Sequence, residues 1–156
     1  MPQDTKAPEF KTLNLSYQAD QHRFYITAQI EDDISGINSA GVYVINPSGS
    51  LTKGTGLSKI YNSTNTYEGY INLNEYAESG EWKVRYVYTS DKAENNKTTW
   101  SYQSDYSKIN VSGDLIVGKT EPTYSVSTSK SQVNEGQSFT TSVQTTNVAA
   151  YSYLYW

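Results

Sequence analysis

Apolar residues recur along this chain at every second position rather than every third or fourth. Phe24, Ile26, Ala28 and Ile30 alternate strictly with other residues, which predicts a strand with one buried face. Leu13 and Leu15 mark an earlier strand, with Phe10 slightly out of phase. Gly41 to Ile45 follows and stops at Asn46-Pro47-Ser48-Gly49, a sequence suited to a β-turn. Leu51 to Tyr61, interrupted by Gly54 and Gly56, predicts a weak edge strand or a loop. Tyr67, Gly69, Ile71 and Leu73 alternate again, and Asn74 to Gly80 predicts one helical turn. Next come Trp82, Val84, Tyr86 and Tyr88, all in one phase and so expected on one face. Lys97 to Tyr102 and Lys108 to Val111 supply the last strands. No window has the apolar spacing of a stable helix, which excludes a helical bundle.

About seven short strands in roughly 100 residues is the size and spacing of an immunoglobulin-like antiparallel β-sandwich, so the fold class expected is all-β. The full length of 156 residues allows that sandwich plus a piece of another. Composition sharpens this picture. Tyr numbers 15 against 3 Phe and 1 Met, so tyrosine carries much of the apolar load, as suits a pleated, half-buried surface. The net charge of −4 leaves no basic stripe, which argues against nucleic acid as a partner. With no Cys there is neither a disulfide framework nor a thiolate metal site. No apolar run approaches the roughly 20 residues of a membrane span, so membrane insertion is not expected.

Candidate chemistry is sparse. His22 is the only His and lies in a turn beside Asp20, the setting of a solvated surface residue rather than a catalytic base. No nucleophile motif accompanies it, so no catalytic residue and no enzyme activity is assigned. Two acidic loops are more informative. Glu31-Asp32-Asp33-Ile34-Ser35-Gly36 and Ser90-Asp91-Lys92-Ala93-Glu94-Asn95-Asn96 lie between strands that an immunoglobulin topology brings to one end. Oxygens of Asp32, Asp33, Asp91 and Asn95 would suit Ca²⁺, with no other cofactor expected; turn preference alone also accounts for these residues. Trp100 and Tyr102, on the last hairpin, are candidates for stacking against a sugar ring, whereas Trp82 belongs to the core.

Several of these segments together resemble bacterial extracellular Ig-like repeats: Ala7-Pro8, Ile30 to Ile37 with its D-D-x-S-G turn, Asn46-Pro47-Ser48-Gly49, Gly80-Glu81-Trp82-Lys83-Val84 and Asp91-Lys92-Ala93-Glu94-Asn95. Glu94 stands where such repeats usually carry glycine, which leaves the left-handed turn expected there without its usual residue. From Glu121 the chain is similar to a different repeat, Ig-like or Calx-β-like. Pro122 to Val126, Val133-Asn134-Glu135-Gly136, Thr145-Thr146-Asn147-Val148 and Leu154-Tyr155-Trp156 carry that likeness. Repeats of this kind occur in large secreted, RTX-associated proteins. The resemblance implies a tail at 1–8, a sandwich at 9–118, and at 119–156 a linker with an incomplete, poorly ordered second repeat. It also implies a noncatalytic structural or adhesion module of a larger secreted or cell-surface bacterial protein. Its partners would be neighbouring domains of the same chain and a cell-surface protein or glycan, and the module is expected to act as a monomer. The alternatives are a carbohydrate-binding accessory module and a Ca²⁺-dependent adhesion module.

Overall fold

The alternation at Phe24, Ile26, Ala28 and Ile30 becomes strand β2 (Arg23–Glu31), whose four apolar side chains are buried. In the computed structural model, which describes residues 3–118, 123–129, 132 and 134–146, β2 lies inside a five-stranded sheet. Its order is β10 (Asn110–Asp114), β1 (Glu9–Gln18), β2, β6 (Thr66–Asn72) and β5 (Ser58–Lys59). A second sheet has the order β4 (Thr52–Gly56), β3 (Ile37–Ile45), β8 (Lys83–Asp91) and β9 (Asn96–Trp100). The β2–β3, β4–β5, β6–β8 and β9–β10 connections cross between the sheets, giving an all-β sandwich over one core. Phe24 from one sheet meets Trp82 edge-on at 5.9 Å, and Leu13, Leu15, Ile26, Val42, Val44 and Val87 fill the space around them.

Two bulges explain where the alternation misleads. Between Phe10 and Thr12 the β1–β2 register shifts, so Phe10 and Leu13 both point inward although three residues apart. Opposite Tyr43 and Val44, β8 carries an extra residue, Arg85. Trp82 and Val84 are buried before it, Val87 and Thr89 after it. Tyr86 and Tyr88 therefore turn to the outer face, not to the core face predicted for them. The segment predicted as a helical turn is a tight turn closed by Ala77 N–H donating to Asn74 O.

Beyond the expected antiparallel pairs, β1 and β10 run parallel, from Thr12 opposite Asn110 to Ser16 opposite Asp114. Strand starts and ends then define two ends of this unit. The leading end holds the start of β1, the β2–β3 loop and the β8–β9 turn; the trailing end holds the end of β10. There β7 (Gly80–Glu81) pairs with β11 (Ile116–Val117), and Asn46 and Trp82 close the strand ends. Residues 3–8, expected as a tail, are bound to the sandwich instead: Pro8 is fully buried and its carbonyl accepts from Thr89 Oγ1 at 2.7 Å.

The chain divides into two compact units, Met1–Gly118 and Lys119–Trp156. In the second, β12 (Thr123–Thr128) and β13 (Thr141–Thr146) form an antiparallel hairpin with Val126 opposite Val143. The expectation of poor order over 119–156 falls partly on residues outside the described ones; the described part is this hairpin.

Candidate functional site

At the leading end, Asp91 is an anchor for its own turn. It is 1% exposed, and its Oδ1 accepts from the backbone N–H of Ala93 and of Asn95, each at 2.8 Å. Its Oδ2 accepts from Asn95 Nδ2 at 2.7 Å. Burial of a carboxylate is tolerable because three donors replace its water. Glu94 sits in this turn at φ +70°, so the left-handed backbone forms without glycine.

The β2–β3 loop is organised in the same manner by Asp32, whose Oδ2 accepts from Gly36 N at 2.6 Å and Ile34 N at 3.3 Å. The loops are tied together by Lys92 N–H donating to Gly36 O. Asp4, from the segment before β1, joins both. Its Oδ2 accepts from Ser35 N at 2.9 Å, and its backbone O and Oδ1 lie 3.3 and 3.4 Å from Asn95 Nδ2.

Carboxylate oxygens of Asp4, Asp32 and Asp33 come within 4.8 Å of one another. Lys6 Nζ is 3.7 Å from Asp33, an exposed pair that neutralises little. The Ser35 hydroxyl foremost, then the Lys6 and Ser35 backbone N–H groups, hold the Asp4 carboxyl below the usual carboxylate range. Asp32 Oδ1 is buried without a partner. Three carboxylates and an unpartnered buried oxygen are the donor set a hard cation takes. Of the residues the sequence suggested, Asp32 and Asp33 belong to this group. Asp91 does not, since its oxygens are spent on the turn, and Asn95 reaches the group through its N–H₂, which cannot ligate a metal. Asp4 was missed, because nothing local in the sequence links it to a loop 28 positions on.

Trp100 and Tyr102 lie at the margin of an aromatic row on the outer face of the four-stranded sheet. Tyr43 and Tyr86, directly opposite in register, stack at 4.4 Å and 17°. Trp100 follows at 4.6 Å from Tyr86, and Tyr102 at 5.9 Å and 24° from Trp100. Gly54 is required at the other margin, since a Cβ there would lie 2.2 Å from the Tyr43 ring. Tyr43 and Tyr86 cover one another's faces, whereas Trp100 is tilted by 48° against Tyr86. Tyr43, Tyr86 and Trp100 are half-buried, whereas Tyr102 is 80% exposed. The bulge places Arg85 on this face too, its guanidinium 5.8 Å from the Trp100 ring centre and bonded to Thr52 Oγ1. Neither Tyr43, Tyr86 nor Arg85 was singled out from sequence; the break from 82 and 84 to 87 was the available signal.

The β9–β10 connection leaving this row is pinned by Asp105, whose carboxylate meets Lys108 at 2.7 Å and Lys97 at 2.8 Å. Those two ammonium groups, Lys108 first, bring the Asp105 carboxyl down to about 2. No helix among the described residues is long and apolar enough to cross a membrane. Compared with protein-family models, curated proteins and solved structures, the chain matches none of them.

Proposed function

We propose that this chain is a noncatalytic, tension-bearing Ig-like module of a large secreted or surface-anchored protein, with neighbouring domains of the same chain as its first partners. The observation that carries the reading is the parallel β1–β10 ladder. The chain enters β1 at the leading end and leaves past β10 and the short β11 at the trailing end, at opposite ends of the unit. Tension along the chain therefore slides two parallel strands lengthwise and loads all their hydrogen bonds together, instead of opening them one at a time. Pro8 and Asp4 fasten the arriving chain to β8 and to both acidic loops, which share the load with β1. A composition rich in Ser, Thr and Tyr and free of Cys suits a secreted bacterial β module.

Single-molecule pulling of the full chain from its two ends tests this. Abrupt, single-event rupture of unit Met1–Gly118 is expected; gradual extension at low force would reject the reading.

A second reading, Ca²⁺-dependent stiffening of the leading end, is favoured by the unpartnered, buried Asp32 Oδ1 within the Asp4, Asp32 and Asp33 group. Because Asp4 precedes β1, an ion held there would cross-link the arriving chain to the β2–β3 loop. Millimolar Ca²⁺ is then expected to raise the melting temperature of the wild type and not of Asp32→Asn. An unchanged melting temperature in the wild type removes this reading and leaves the first intact.

A further inference from the structure

We propose that the outer face of the four-stranded sheet binds an anionic sugar, a uronic-acid unit of a polysaccharide, with Tyr102 stacking on its ring and Arg85 taking its carboxylate. Tyr43 and Tyr86 spend their facing sides on one another, Trp100 tilts against Tyr86 and stacks on Tyr102, and the mostly exposed Tyr102 ends the row. What remains accessible there is one ring and the hydroxyl-bearing edges of its neighbours. A protein partner needs about 800 Å² on each side. A pyranose needs far less: one C–H face against one aromatic ring, with hydroxyls in reach of tyrosine and threonine oxygens.

Charge selects among sugars. On the outer face the strands of this sheet carry Lys83 and Arg85 and no carboxylate: Lys53 and Lys97 lie opposite the core-facing Val44 and Thr89, Lys53 reaching Asn72 O and Lys97 paired with Asp105, and Asp91 is sealed in its own turn. The five-stranded sheet carries Lys11, Arg23 and Lys59 against Glu9, Glu31, Glu68 and Asp114. In a chain of net charge −4, the aromatic face is thus the cationic one. Among the described residues Arg85 forms no ion pair, and its one side-chain hydrogen bond goes to Thr52 Oγ1. Its remaining N–H groups are available for a carboxylate, which a guanidinium grips with two parallel bonds. Arg85 and Tyr102 both lie within 6 Å of the Trp100 ring centre, 5.8 and 5.9 Å away, a span that one or two sugar units bridge. The Arg85 bulge and the Gly54 position have a common effect, since one brings the cation to this face and the other lets the Tyr43 ring settle at the head of the row.

Calorimetric titration of the full chain with a galacturonate oligosaccharide, beside the same oligosaccharide reduced at its carboxyl groups, tests the proposal. Binding of the acidic form is expected, weakened by added salt, with the reduced form binding about tenfold less well. Tyr102→Ala is expected to weaken it about tenfold, and Arg85→Gln to remove the preference for the acidic form. Both side chains are exposed, and unchanged thermal unfolding will show that the variants fold. The proposal is overturned by no binding at millimolar ligand, by equal binding of both oligosaccharides, or by affinity unchanged in both variants. Association of the chain with itself that Tyr102→Ala abolishes, without oligosaccharide binding, would also overturn it. A tension-bearing module needs no sugar, so any of these outcomes leaves the mechanical reading standing.

Discussion

The two ends of the sandwich face the same task with different chemistry. Each must satisfy buried backbone groups where strands stop. The leading end does so with carboxylates: Asp91 and Asp32 each collect N–H donors of their own loop, and Asp4 joins the loops. The trailing end sets one carboxylate, Glu78, among neutral donors. Asn46 accepts from Leu51 N at 2.8 Å and donates toward Ser48, Ser50 and Glu78, while Trp82 Nε1 donates to Glu78 O at 2.9 Å. Carboxylate oxygens therefore cluster at the leading end, whereas at the trailing end Glu78 is surrounded by amide and hydroxyl donors.

Asp91→Ala strands three donors in a buried turn and is expected to cost about 3 kcal/mol in urea unfolding. Asn46→Asp carries the leading end's chemistry to the trailing end by setting a second carboxylate against Glu78. About 2 kcal/mol should be lost at neutral pH, part of it returning as the pH falls through the carboxylate range. A smaller effect of opposite sign is expected from Glu94→Gly. Glycine meets no penalty at φ +70°, so relief of the strained turn is worth about 1 kcal/mol in the same measurement, and Glu94→Ala should give no such gain.

The smallest effect is the wild type's own acid response. Asp4 and Asp105 have carboxyls held below the ordinary range in the folded state, Asp105 at about 2. Such groups stabilise the fold above the unfolded carboxylate value, and the contribution fades as pH drops toward their folded values. A modest fall in melting temperature between about pH 4 and pH 2 is therefore expected, and Asp105→Asn should flatten part of it.

How much of this was legible in the sequence follows from the local character of each signal. β2 was fully legible because its period-two pattern has no interruption. The phase slip at Phe10 recorded a real bulge, and the run from Trp82 to Tyr88 concealed another, since tyrosine suits either face of a sheet. The two acidic loops were correctly grouped at one end, yet the sequence did not separate Asp91, which closes a turn, from Asp32 and Asp33, which meet Asp4. That distinction depends on which N–H groups each carboxylate reaches. The parallel β1–β10 pairing was out of reach for the same reason: it joins segments nearly 100 positions apart.

Tension borne by that pairing is the central claim, and Gly113 is the place to test it. A Cβ there would lie 1.8 Å from Leu15 O, so Gly113→Ala forces β10 away from β1. Single-molecule pulling should compare the wild type, Gly113→Ala and Val84→Ala, the last destabilising the core away from the ladder. Asn14→Ala, which removes only the 2.9 Å bond from Asn14 to Ser112, serves if Gly113→Ala does not fold. The ladder variant is expected to rupture at a clearly lower force than Val84→Ala, even where Val84→Ala loses as much stability in urea. Equal rupture forces at equal stability, or a ladder variant as strong as the wild type, would contradict the account.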